Sequence, residues 1–80
     1  MSKVTIYSTP TCHFCQLAKE FFKENKIAYT EHDVLADLEK RREMMELSGQ
    51  LGVPVIRIGQ NVIVGFNQER VEALLNESKS

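Results

Sequence analysis

Cys12 and Cys15 are the only two cysteines of the chain and lie in Thr11-Cys12-His13-Phe14-Cys15. They follow a β-branched run and open a stretch of helical period, which puts them at i and i+3 of a first helical turn. Their Cα atoms then lie roughly 5 to 6 Å apart, the separation that a disulfide requires. A bridge closing so short a loop stabilises little, so the pair suits reversible redox chemistry better than permanent crosslinking. Thiol-disulfide exchange needs a thiolate attacking a sulfur in line, and an ordinary cysteine is only a few per cent ionised at neutral pH. The free amides and positive dipole end of a helix start are expected to stabilise that anion at Cys12. Cys15, one turn in and flanked by Phe14 and Ala18, is expected to be more buried and less acidic. Cys12 is therefore the predicted nucleophile and Cys15 the resolving thiol.

Other residues near the pair have two readings each. His13 either adds positive charge when protonated, tuning the couple, or is an exposed imidazole of little effect. Tyr7, Phe14 and Phe66 either line a substrate groove or belong to the core and its edge; Phe14, between the cysteines, is the best groove candidate. Arg57 alternates with apolar Ile56 and Ile58 and reads as a solvated strand side chain, and the charged run from Glu39 to Glu46 as a solvated helix face.

These side chains must be positioned by regular elements. Lys3 to Ser8 alternates β-branched and aromatic residues and ends at Ser8-Thr9-Pro10, a strand followed by a turn. Phe14, Leu17, Ala18, Phe21 and Phe22 recur at helical spacing, with Gln16, Lys19, Glu20, Lys23 and Glu24 on the other side, and this helix should end near Asn25. Ile27 to His32 reads as a second strand, parallel to the first because a helix crosses between them. A second helix is expected from Leu35 to Ser48, with Leu38 and Met45, joined by Met44 and Leu47, on its apolar side and Gly49 as its stop. Val53 to Ile58 and Asn61 to Val64 flank Gly59-Gln60, which predicts an antiparallel hairpin. Asn67 looks like an N-cap, Phe66 and Val71 a hydrophobic staple, and Val71, Leu74 and Leu75 the buried stripe of a last helix. The order βαβαββα predicts an α/β domain over residues 1–80, a four-stranded mixed sheet with three flanking helices.

Composition bounds the function. Eighty residues with 42% hydrophobic and 26% charged residues suit one small globular domain, with order expected to end only in the last few residues, Asn76 to Ser80. A formal charge of -1 with acids and bases interleaved offers no basic face for nucleic acid. Apolar runs of three or four residues are too short to span a membrane, and the N-terminus has no secretory pattern, so the expected location is the cytoplasm. Cysteines in a reducing compartment more often mean catalysis or metal than a crosslink.

Tyr7-Ser8-Thr9-Pro10-Thr11-Cys12-His13-Phe14-Cys15, Gly52-Val53-Pro54-Val55 and Val64-Gly65-Phe66-Asn67, in this order of elements, resemble the glutaredoxin branch of the thioredoxin superfamily over essentially the whole chain. The resemblance implies a thioredoxin-like fold and a thiol-disulfide oxidoreductase that reduces protein or small-molecule disulfides. It implies that Pro54 is cis and stands beside the active cysteine, and that the Val53 backbone pairs with an extended substrate. It further implies a substrate surface built from Thr11, His13, Phe14, Val53, Pro54, Gly65, Phe66 and Asn67. The chain departs from the glutathione-using pattern at Thr9, where a lysine is common, and at Val64-Gly65-Phe66-Asn67-Gln68, where two glycines, a residue and two acids are common. Gly65-Phe66 is instead similar to the Ser-Gly-Phe of small redoxins that serve ribonucleotide reductase and draw electrons from a flavin-dependent thioredoxin reductase. The aromatic residue before that motif is absent, since Ile63 and Val64 occupy its place, so the chain falls between the two subfamilies.

The expected partners are disulfide-containing proteins and either glutathione or the flavoprotein as reductant. No bound cofactor or metal is expected, and the chain is expected to be a monomer. Three rivals stand beside this reading. Structural zinc would use the cysteines with His13 and His32, but no second ligand pair has a suitable spacing. An iron-sulfur cluster bridged with glutathione would take the first cysteine of each of two subunits. A redox-inert binding module would retain only the fold.

Overall fold

The structure, a computed structural model, describes residues 3–79. The elements run β1 (Val4–Ser8), α1 (His13–Glu24), β2 (Thr30–Asp33), α2 (Leu38–Ser48), β3 (Val55–Ile58), β4 (Asn61–Val64) and α3 (Gln68–Lys79). The sheet order is β2-β1-β3-β4, with β1 parallel to β2 and antiparallel to β3, and β3 antiparallel to β4. This is the expected βαβαββα mixed sheet.

Alternation along the strands divides the core in two. Val4, Ile6, Ile56, Ile58 and Ile63 face α1 and α3, where they meet Ala18, Phe21, Phe22 and Val71. Tyr7 and Val55 face the other side with Val34 and Met44, and Leu47, Val53 and Val62 pack at the edge. Period-2 strands between helices of period 3.6 make this sorting unavoidable once the register is set.

Several boundaries differ from expectation for local reasons. β2 begins at Thr30 rather than Ile27 because the chain is still leaving α1. Ile27 N–H donates to the Phe22 carbonyl at 2.8 Å and Lys26 N–H to Lys23 at 3.2 Å, with Lys26 left-handed at φ 55°. Together these bonds form a Schellman motif. Ile27 and Tyr29 still pack on the core, so their apolar alternation reports burial without a ladder. α2 begins at Leu38 rather than Leu35: the Asp33 carboxylate accepts from the Leu35 and Ala36 amides, and Asp37 caps the helix through the Glu39 and Lys40 amides. β3 begins at Val55, after Val53-Pro54.

The apolar face of α2 also differs. Leu38 and Met45 are exposed while Met44 is fully buried, and Leu47 packs beside Met44. The charged run is not wholly solvated either, since Glu43 accepts from the Tyr7 hydroxyl at 2.8 Å and from Lys40 at 3.0 Å. Arg57 is half-buried on the α2 side, its Nε donating to the Gly59 carbonyl at 3.0 Å. Gly49, left-handed at φ 74°, ends α2 as expected, and Gly59, at φ 62°, opens the hairpin turn. Asn67 caps α3, its Oδ1 accepting from the Arg70 amide at 3.1 Å. α3 continues past Asn76 to Lys79; Ser80 lies outside the described residues.

Candidate active site

The register gathers the candidate residues at one end of the sheet. Ser8 pairs with Asp33, Tyr7 with Val55, and Val55 with Val64, so Thr9, Pro54 and Gly65 all leave the ladder at that same end. Gly65 N–H donates to the Pro54 carbonyl at 2.7 Å. The Val53–Pro54 bond is cis, and Pro54 is buried. Gly65 has φ 82°, a left-handed backbone that favours glycine. Both helix starts that carry site residues, at Cys12 and at Asn67, follow from this edge.

Thr9 to Cys12 forms a tight turn with Pro10 second, closed by Cys12 N–H to the Thr9 carbonyl at 3.3 Å. The turn leaves Cys12 extended, at φ -83° and ψ 114°, as the N-cap of α1. Its sulfur takes the place that a capping oxygen usually fills, accepting the Cys15 backbone N–H at 3.2 Å. The nucleophile candidate thus receives a hydrogen bond at the positive end of the helix dipole, and both favour negative charge on the sulfur. Cys12 is partly exposed and Cys15 buried.

Burial pushes the Cys15 thiol up to about 12, aided by its side-chain hydrogen bond with Cys12 and opposed by a Thr9 backbone hydrogen bond and the charge of Lys19. The two sulfurs are therefore held in different environments.

Around them, Thr11 and His13 are exposed, and the His13 ring meets that of Phe14 edge-on at 5.7 Å. Phe14 is 58% exposed. It stands outside the apolar face expected for it, a face that Cys15, Ala18, Phe21 and Phe22 form instead, and its exposure fits the groove reading. Tyr7 is 1% exposed and faces α2, on the side of the sheet away from α1 and its cysteines. Phe66 is half-buried and packs its ring on Phe21 at 5.9 Å, at the core edge. Val53 is half-buried and Asn67 exposed.

One polar cluster was not legible in the sequence. Lys19, expected on the outer face of α1, turns to Glu31 at 2.7 Å. Glu31 also accepts from the Ser8 hydroxyl at 3.0 Å. The i+4 spacing of Lys19 from Cys15 was the available signal. Among the described residues, no group of three or more His, Cys, Asp and Glu side chains is placed to hold a metal ion. No helix of the described residues is long and apolar enough to cross a membrane.

Comparison with known proteins follows the same line. A crystal structure of a thioredoxin-like protein superposes with a TM-score of 0.88 at 36% identity, covering 95% of this chain and 97% of that one, so the fold is thioredoxin-like. The glutaredoxin family model matches residues 4–63, and the chain belongs to that family. Over 74 residues it is 45% identical to a glutaredoxin-like 8.6 kDa protein in the rubredoxin operon of Clostridium pasteurianum, covering 92% of this chain and 99% of the relative. Glutaredoxin 3 of Escherichia coli is 34% identical over 65 residues, 81% of this chain and 78% of its own. The chain is thus a glutaredoxin-like redox protein carrying a C-x-x-C pair.

Proposed function

We propose that the chain is a dithiol electron carrier that reduces disulfides, with Cys12 as nucleophile and Cys15 as resolving thiol. The Cys12 thiolate attacks one sulfur of a substrate disulfide, forming a mixed disulfide and releasing the other sulfur as a thiolate that takes up a proton. Cys15 then loses its proton and attacks the Cys12 sulfur, which releases the second substrate thiol. The products are a substrate dithiol and a Cys12–Cys15 disulfide, a two-electron exchange. The observation that carries this reading is the asymmetry of the pair: one partly exposed sulfur at a helix start accepting the Cys15 amide, its neighbour buried three residues on.

The substrate surface consists of exposed Thr11, His13 and Phe14 on one side and Val53, Pro54, Gly65, Phe66 and Asn67 on the other. The Val53 backbone, just outside the ladder, pairs with an extended disulfide-containing segment. The chain works as a cytoplasmic monomer. Its preferred reductant is a flavin-dependent thioredoxin reductase rather than glutathione. Thr9 supplies no cation, the Asn67 side chain is committed to capping α3, and the Gln68 amide bonds Glu72 at 3.3 Å. Val64, where the glutathione-using pattern has glycine, is 55% exposed at the site edge.

The test supplies the purified protein with a disulfide substrate and either thioredoxin reductase or glutathione with its own reductase. Sustained turnover with the flavoprotein and slower turnover with glutathione is expected; robust turnover with glutathione alone would reverse the preference for reductant. Turnover by neither would refute the carrier itself.

A further inference from the structure

We infer that Lys19, four residues after Cys15 on α1 and anchored by Glu31, which Ser8 holds in turn, is a positioning residue for the second half of the exchange, its charge stabilising the resolving thiolate as it forms. This inference rests on the dithiol reading above. Three observations carry it.

First, Lys19 follows Cys15 by four residues on α1, and helical side chains lean toward the N-terminus, so the lysine stem runs back over the turn that holds the buried thiol. Second, the ammonium is anchored, with Glu31 at 2.7 Å and a side chain only 23% exposed. The anchor is itself fixed: Glu31 pairs in register with Ile6, whose face is that of α1, and accepts from Ser8, which is 1% exposed. Ser8 lies at the end of β1, immediately before the turn that delivers Cys12. Third, burial is the largest influence on the Cys15 thiol and raises it, and the charge of Lys19 acts in the opposite direction as the smallest one.

Cys15 faces a chemical difficulty that Cys12 does not. A buried thiol must ionise before it can attack, and ionisation in a desolvated place is costly without a nearby cation. The groups around the ammonium are Glu31 and Tyr29 from the β2 segment and Cys15 from its own helix, with Lys23 acting on Glu31. Glu31 balances the charge for folding, and Lys19 remains the cation that acts on Cys15. In the step itself, the Cys15 proton passes to the departing substrate thiolate or to solvent while Cys15 bonds to the Cys12 sulfur. Lys19 keeps its proton throughout.

Losing so weak a neighbouring charge cuts the thiolate population by about three- to tenfold. A weaker acid is also a better nucleophile, so the net slowing of attack is about two- to threefold.

Rapid-quench kinetics with a protein disulfide separates the steps. Lys19→Met is expected to form the Cys12 mixed disulfide at the parent rate and to resolve it about two- to threefold more slowly, so that the adduct accumulates. Lys19→Arg, which keeps the charge, should restore resolution. In a Cys12→Ser background, Lys19→Met should slow alkylation of Cys15 at pH 8 and again be rescued by arginine. Parent-rate resolution in Lys19→Met, equal slowing of both steps, or failure of arginine to rescue would each overturn the inference. A parent protein that forms no Cys12 adduct at all would remove the reading on which it rests, and the inference with it.

Discussion

At the scale of single residues, two chemically identical thiols are made different by where each lies. Cys12 is a partly exposed cap with an amide on its sulfur, whereas burial pushes Cys15 to about 12. Limiting iodoacetamide at pH 7 should therefore label Cys12 with high selectivity, as peptide mass spectrometry would read. Equal labelling of both sulfurs in the folded reduced protein would contradict the assignment. The difference was legible in the sequence because it depends on a spacing of three residues and on a helix start, both local. Lys19 and Arg57 were not. Their placement depends on Glu31 and Gly59; the first arrives from another strand, and the second is reached by the curl of Arg57 along its own strand. Tyr7 is a similar case: its hydroxyl donates to Glu43 on α2, thirty-six residues away. Tyr7→Phe should lower stability by about 1 kcal/mol, measured by urea unfolding.

At the scale of elements, the site depends on how helices begin and end. α1 and α3 were found in the sequence because their stripes and caps are local, and Asn67 caps α3 as its residue type suggested. Asn67→Ala should cost about 1 kcal/mol, a fall in Tm of about 4 to 8 °C for a domain of this size. The end of α1 holds a non-glycine residue in left-handed backbone at Lys26. Lys26→Gly should raise Tm by a few degrees, since that conformation costs an ordinary residue about 1 kcal/mol; an unchanged or lower Tm would show that the Lys26 side chain compensates. The α2 face was read in part: Met44 and Leu47 lie inward, whereas Leu38 and Met45, at helical spacing from each other, are exposed. Likewise Ile27 and Tyr29 alternate like a strand while the Schellman turn keeps them out of the ladder.

At the scale of the molecule, a sheet of order β2-β1-β3-β4 brings the ends of β1 and β4 and the start of β3 to one edge, where residues more than forty positions apart can form one site. The mixed sheet was foreseeable from the βαβ unit and the hairpin, but not the β1–β3 pairing that joins them, and the cis Val53–Pro54 bond entered through family resemblance alone. The fold also links protonation to stability. Cys15 is raised from 9.0 to about 12 and Tyr7 from 10.0 to about 12. Groups held protonated in the folded state contribute stability below their unfolded pKa and lose it as pH rises through the folded value. Stability of the reduced protein should thus fall between pH 9 and 12. The oxidised protein, without a Cys15 thiol, should fall less over the same span, because only the Tyr7 contribution remains. Thermal unfolding of both forms checks this. The account as a whole is tested most directly by trapping the reaction midway: Cys15→Ser is mixed with a protein disulfide, quenched in acid and mapped by mass spectrometry. A single covalent adduct on Cys12 that persists unresolved is predicted. The absence of an adduct on Cys12, or full disulfide-reducing turnover in Cys12→Ser assayed alongside, would contradict it.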